Sequence, residues 1–249
     1  MPEPLLRIEG LTKRYGAVTA LEDVSFDVHA GEVVALLGDN GAGKSTLIKI
    51  LAGAQPPSAG RLLLEGREVR LDDPADAKAL GIETVYQDLS LCPNADVVAN
   101  FFMGRELVRS VLGLAWLREA EMRRVTEAAL ERIGTRIPSV RAKVAQLSGG
   151  QRQAIELCRF VHWGGRIVLL DEPFAALGVT QTKRGLELIE RVKAEGVAVI
   201  VITHNVLHAL QVADRIVVLR QGRVVGVRDR AATGHDDIIA LITGETMAA

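Results

Sequence analysis

The residues of this sequence that speak most directly of chemistry are nine in a row, Gly38, Asp39, Asn40, Gly41, Ala42, Gly43, Lys44, Ser45 and Thr46. Gly38, Gly43, Lys44 and Ser45 fit the spacing G-x-x-x-x-G-K-[ST], which suits phosphate for physical reasons. Glycines let successive backbone N–H groups turn inward around an anion, and the start of a following helix adds about half a positive charge. Lys44 reaches the β and γ phosphates of a nucleotide and Ser45 offers a hydroxyl to Mg²⁺. Gly41 and Thr46 complete the cradle. A glycine-rich turn that only caps a helix is the bland alternative, and it leaves Lys44 unexplained.

A second group lies far along the chain. Residues 167–170 are apolar and lead into Asp171, Glu172 and Pro173, which places two carboxylates at the carboxyl end of a buried strand. Asp171 is placed to hold a Mg²⁺ water, and Glu172 to polarise the water that attacks a γ-phosphate. A purely structural Asp171, capping the next turn, is the competing reading. Residues 197–202 form a similar run ending at Thr203 and His204. There the His204 imidazole could donate to the γ-phosphate as charge shifts. Gln87 follows another short apolar strand and could bridge Mg²⁺, the attacking water and a helical arm. Alone it is a weak signal. Leu147, Ser148, Gly149, Gly150 and Gln151 spell LSGGQ at the expected start of a helix, where free N–H groups and a hydroxyl can meet an anion.

Regular elements must carry these groups. From 5 to 28 the chain alternates, Val24, Phe26 and Val28 against Ser25, Asp27 and His29, as a half-buried antiparallel strand does. Residues 32–38 are a continuous apolar run ending in the glycine loop, and residues 45–53 have helical spacing. The runs at 167–170 and 197–202, apolar on both faces, are expected as parallel central strands. From 89 to 141 the pattern turns helical, with Met122, Val125, Ala129 and Ile133 recurring amid charge. Its arginines, such as Arg123, Arg124 and Arg132, read as a solvated face, with a nucleic-acid face as the alternative. Residues 213–227 predict a hairpin around Gln221 and Gly222, followed by a short helix from about Asp236.

A chain of 249 residues suits one α/β unit with an inserted arm, and 48% hydrophobic with 24% charged residues is the balance of a folded protein. A net charge of -1 gives no long-range pull toward nucleic acid or acidic lipid. Cys92 and Cys158 lack metal or redox spacing and read as reduced structural thiols. The first residues lack the pattern of a signal peptide and no stretch has the ~20 apolar residues of a membrane span, so folding in the cytoplasm is expected.

Together, LSGGQ and the phosphate loop resemble the ATPase subunits of ABC transporters, over residues 5 to about 232 and in the order Tyr15, loop, Gln87, LSGGQ, Asp171 with Glu172, and His204. The resemblance implies an α/β P-loop NTPase core with a mostly parallel central sheet, an antiparallel β subdomain and an inserted helical subdomain. It implies one ABC-type ATPase domain over 1–249, the insertion at about 89–160. Tyr15 would stack on adenine, while Ser148, Gly149, Gly150 and Gln151 would reach the ATP held by the other subunit. ATP and Mg²⁺ are the implied ligands and a homodimer closed by ATP the implied assembly. The site set is then Lys44, Gln87, Glu172 and His204 for catalysis, with Ser45, Gln87 and Asp171 for the metal.

The segments VANFFMGRE, AALGV and THNVLHALQVADRIVVLRQGR are similar to those of bacterial importers for ribose, fructose and related monosaccharides. That similarity implies membrane permease subunits, an external solute-binding protein and a peripheral place on the cytoplasmic face of the inner membrane. Other cargo, export, a soluble ABC protein acting on DNA or ribosomes, and a catalytically idle binding module are the competing readings. Two departures from the family pattern follow the acid pair. Phe174 stands where a small hydroxyl residue is usual, and Gly178 where an aspartate is usual.

Overall fold

Alternation of apolar and polar residues shapes the start of the chain. The computed structural model describes residues 3–85, 91–111, 114–174 and 178–245. In it β1 (Leu6–Tyr15) and β2 (Val18–Val28) pair antiparallel, with Leu21, Val24, Phe26 and Val28 buried and the residues between them more exposed. β3 (Val33–Leu37), buried along its whole length, ends in the glycine loop and α1 (Lys44–Leu51). β4 (Ala59–Leu64) and β5 (Arg67–Val69) complete a four-stranded antiparallel sheet in the order β2-β1-β4-β5. α2 (Pro74–Ala79), started by an Asp73 capping box with proline in its first turn, leads to β6 (Ile82–Val85).

The chain continues through α3 (Val97–Phe102), β7 (Val108–Val111), β8 (Leu114–Leu117), α4 (Glu119–Arg132) and α5 (Gly149–His162). β9 (Ile167–Asp171), α6 (Val179–Ala194), β10 (Ala198–Ile202), α7 (Val206–Val212), β11 (Arg215–Arg220), β12 (Arg223–Asp229) and α8 (His235–Thr243) follow.

Two compact units result. One comprises Met1–Gln87, Gly165–Ala176 and Lys193–Ala249, the other Asp88–Gly164 and Leu177–Val192. In the first, a six-stranded sheet runs in the order β12-β11-β3-β10-β9-β6, parallel except for β12. Strand periodicity divides its core. Val34 and Leu36 face the cluster that contains Leu47, Ile48 and Leu51 of α1. Ala35 and Leu37 face Val206 and Ala209 of α7 and Ile238 and Ile242 of α8. The expected α/β fold, with its parallel centre and separate antiparallel sheet, is therefore present. The hairpin expected near Gln221 and Gly222 joins β11 to β12, with φ of +49° and +78° at the two turn residues, as a tight hairpin turn requires.

The second unit packs α3, α4 and α5 together. A helical pattern was expected over 89–141, yet Val108–Val111 and Leu114–Leu117 form the antiparallel pair β7 and β8. β-branched Val108 and Val111 and aromatic Trp116 fit a pleated strand better than a helix, and that preference prevails over the weak helical spacing.

Candidate functional site

The phosphate loop is fixed by close backbone approaches. Gly38 lies at φ +153°, and a Cβ there would stand 2.2 Å from the carbonyl oxygen of Leu219. Gly43, at φ +105°, would bring a Cβ to 2.7 Å from Leu21 Cδ2 and 2.8 Å from the Ala20 oxygen. The hairpin turn after β11 pins the loop from outside: Gly222 N–H donates to the Ala42 carbonyl at 3.0 Å, and Glu22 N–H donates to the Gly222 carbonyl at 2.8 Å. Inside it, the buried Lys44 ammonium donates to the Gly38 and Asp39 carbonyls at 2.6 and 2.9 Å. Burial pushes the Lys44 pKa down, opposed by the nearby carboxylates of Glu172, Asp39 and Asp171. The ammonium has three donors, so one remains for an anion.

Adjacent strands bring the acids and the histidine to the same sheet edge. β10 lies between β3 and β9, with Ile202 in register with both Leu36 and Asp171. Asp171 ends β9, and the chain then bends sharply at Glu172, whose φ is +47°. A left-handed glutamate costs about 1–3 kcal/mol and persists only where its surroundings hold it. Here they do. Glu172 N–H donates to the Ile202 carbonyl at 2.9 Å. Its carboxylate accepts from Thr203 Oγ1 at 3.2 Å, from the His204 N–H at 3.0 Å and from His204 Nδ1 at 2.7 Å.

An ionised carboxylate can only accept, so this contact suits the tautomer that carries its proton on Nδ1. Nε2 of the neutral ring is then an acceptor and donates only when the ring carries both protons. Direct pairing of Glu172 with His204 was not expected from the sequence, which gave each a separate role. The part of Thr203 was missed as well, although the Thr-His pair at a strand end was the available signal. Asp171 is half-buried, and burial, with the charge of Glu172, lifts its pKa above the usual carboxylate range while Lys44 opposes the shift. The Asp171 carboxylate and the exposed Ser45 hydroxyl are oxygen donors of the kind that suits Mg²⁺.

LSGGQ belongs to the second unit. Ser148 is the N-cap of α5: its hydroxyl accepts from Gln151 N–H at 3.3 Å, while Gln151 Oε1 accepts from Ser148 N–H at 3.0 Å. That reciprocal box is a structural use of S-x-x-Q that the sequence reading had passed over. It consumes an acceptor of the Ser148 hydroxyl and leaves its proton free. Among the described residues, nothing beyond the chain neighbours and the helix's own backbone lies within 4 Å of a Cβ built on Gly149 or Gly150. Ser148, Gly150 and Gln151 line one wall of a cavity of about 340 Å³ whose other walls include Arg136, Arg184 and Arg191.

Tyr15, at the end of β1, is 47% exposed, donates to Gln55 Oε1 and lies under the Lys13 ammonium at 5.3 Å. Gln87 lies outside the described residues.

Comparison with known proteins places the chain in a family. Residues 21–175 match the ABC transporter family model. The chain is 43% identical to the xylose/arabinose import ATP-binding protein XylG of Sulfolobus acidocaldarius, over 96% of this chain and 94% of that one. It is 42% identical to the fructose import ATP-binding protein FrcA of Rhizobium meliloti, over 97% and 95%. Among solved structures, cbiO1 of Clostridium perfringens, part of an ABC transporter complex, superposes with a TM-score of 0.80 at 25% identity over 98% of this chain and 96% of that one. A dimeric ATP-binding cassette in a post-hydrolysis state with ADP and Pi gives 0.71 at 25% identity, over 90% and 98%.

Proposed function

Since this chain belongs to the ABC transporter family, we propose that it is the ATP-hydrolysing subunit that powers import of a monosaccharide through a membrane permease. The carrying observation is the meeting of Lys44, Asp171, Glu172 and His204 at one edge of three neighbouring strands. Lys44 holds the β and γ phosphates, and the loop N–H groups from Gly38 to Thr46 surround them. Glu172 orients the attacking water and takes its proton. His204 and Thr203 keep the carboxylate aimed while that happens. Ser45, Asp171 and Gln87 are the proposed Mg²⁺ set, and Mg²⁺ when bound supplies neutralisation of phosphate charge. Tyr15 is proposed to stack on adenine, its exposed ring being available for that.

ATP is proposed to close a homodimer, with Ser148, Gly149, Gly150 and Gln151 of each chain meeting the nucleotide of the other. The open space over Gly149 and Gly150 supports this, since packing among the described residues does not require glycine at either position. In this reading residues 1–249 act as one ATPase domain with a helical insertion at about 89–160. The sugar assignment rests on the xylose/arabinose and fructose importers to which the chain is similar. Permease subunits and an external solute-binding protein complete the proposed assembly, with this subunit peripheral on the cytoplasmic face of the membrane. Among the described residues no helix is long and apolar enough to cross a membrane.

The test is ATP-driven association and transport. The parent chain should dimerise with ATP by light scattering, and Ser148→Arg should bind ATP yet stay monomeric. With its permease and binding protein in vesicles, ATP hydrolysis should rise on addition of one of a panel of pentoses and hexoses. Unchanged dimerisation in Ser148→Arg refutes the shared site, and stimulation by an amino acid instead of any sugar refutes the cargo.

A further inference from the structure

Phe174 replaces the small hydroxyl residue usual after the acid pair, and its surroundings give that change a physical meaning. The ring is only 4% exposed, and it stands edge-on to the His208 imidazole, with centroids 5.3 Å apart and planes at 81°. Phe174 lies two residues beyond Glu172, and His208 lies in the first turn of α7, four residues after His204. The two segments that carry the catalytic pair are thus joined at two points. One is the hydrogen-bonded cluster of Glu172 with Thr203 and His204, and the other is the aromatic pair.

That second joint acts on a strained position. Glu172 is left-handed at φ +47° and is tied on its amino side by its own N–H to the Ile202 carbonyl. On its carboxyl side the chain passes through Pro173 directly to the buried Phe174. A small hydroxyl side chain at 174 would not reach His208 with a comparable apolar contact. α7 also begins on a fixed footing, because Asn205 caps it through His208 N–H at 3.1 Å. His208 is therefore set by the same cap that follows His204.

We propose that Phe174, packed against His208, is a positioning residue that holds the Glu172 elbow and so the aim of the Glu172–His204 pair. The proposal rests on the reading of Glu172 and His204 as the hydrolytic pair. Edge-to-face aromatic pairs have defined geometry, so removal of either ring frees the elbow without touching the phosphate loop.

The experiment measures kcat, KM for ATP and nucleotide affinity by fluorescent-ATP titration in the full-length chain. The variants are Phe174→Ala, Phe174→Tyr, His208→Ala, the Phe174→Ala/His208→Ala double and Glu172→Gln. Phe174→Ala and His208→Ala should each lower kcat about tenfold with KM and nucleotide affinity within twofold, and the double should be no worse than either single. Phe174→Tyr should retain kcat within about twofold. If Phe174→Ala does not fold, His208→Ala decides alone. A kcat within twofold of the parent in either alanine variant, or losses that multiply in the double, overturns the proposal. Glu172→Gln separates the two levels: an active Glu172→Gln sinks the hydrolytic reading, whereas an inactive Glu172→Gln beside an active Phe174→Ala sinks the positioning role alone.

Discussion

Glu172→Gln isolates chemistry from architecture because of how the Glu172 carboxylate is held. Oε1 accepts from both the His204 N–H and Nδ1, and Oε2 accepts from Thr203 Oγ1. A glutamine can keep its carbonyl oxygen at the first position and turn its amide nitrogen toward Thr203, whose hydroxyl rotates to accept instead of donate. All three contacts survive, though the charge assistance is lost. Hydrogen bonds to charged groups contribute about 1.5–3 kcal/mol against about 0.5–1.5 for neutral ones. The change also removes the negative charge that faces Asp171. These effects oppose each other, so the net change in folding stability should stay within about 2 kcal/mol. The kinetic effect is larger. Loss of a positioned general base costs about 10²–10⁴ in rate, or about 2.7–5.4 kcal/mol at 1.36 kcal/mol per tenfold. Phosphate release should therefore fall by at least about a hundredfold while ATP binding persists and the ATP-bound dimer accumulates in light scattering. Turnover within about threefold of the parent, with the variant folded, would mean that Glu172 is not the base.

The other predictions follow from glycines, burial and charge. Gly38→Ala should cost about 2–5 kcal/mol in urea unfolding, combining a positive-φ penalty of ~1–2 kcal/mol with a backbone clash of ~1–3. Gly41→Ala, at φ +82° with nothing within 4 Å of the added Cβ, should cost only the first part. Gly149→Ala, in the first turn of α5, should stabilise the monomer by about 0.5–1 kcal/mol yet weaken ATP-driven dimerisation, a pair of opposite signs readable by urea melts and scattering. Asp171 has a raised pKa, so its stabilising share is full below the unfolded value of about 3.9 and is lost as pH rises through the folded pKa. Asp171→Asn should therefore gain stability over the parent between pH 4 and pH 7 while losing hydrolysis, as unfolding midpoints at the two pH values will test. Burial pushes the Cys158 thiol up to about 12, and Cys92 is exposed. A disulfide reagent at pH 8 should accordingly titrate one thiol in the native chain and two after unfolding.

The sequence carried the fold where one physical signal dominated. Unbroken apolar runs marked β3, β9 and β10 as buried parallel strands, and the polar residues that ended them marked the sheet edge where ligands bind. Two things stayed hidden. Strand preference in Val108–Val111 and Leu114–Leu117 was hidden by helical spacing on either side. The pairing of Glu172 with His204 needed the order β3-β10-β9, a long-range fact that no local pattern encodes.

Glycine makes the deeper division. Gly38 and Gly43 in the loop look, as letters, like Gly149 and Gly150 in LSGGQ, since both pairs read as backbone opened toward an anion. In three dimensions they differ. The loop glycines are demanded by Leu219, Leu21 and Ala20 of the same chain, at positive φ, so any side chain strains the fold itself. The signature glycines are helical, have space above them and are joined by a Ser148–Gln151 box that would cap the helix equally well with alanine between its ends. Glycine in a helix lowers stability, with no compensating close approach among the described residues. In the proposed dimer, a nucleotide carried by a second copy approaches the start of α5, which would account for glycine there. Substitution at the first pair should thus be read in unfolding, and at the second in association.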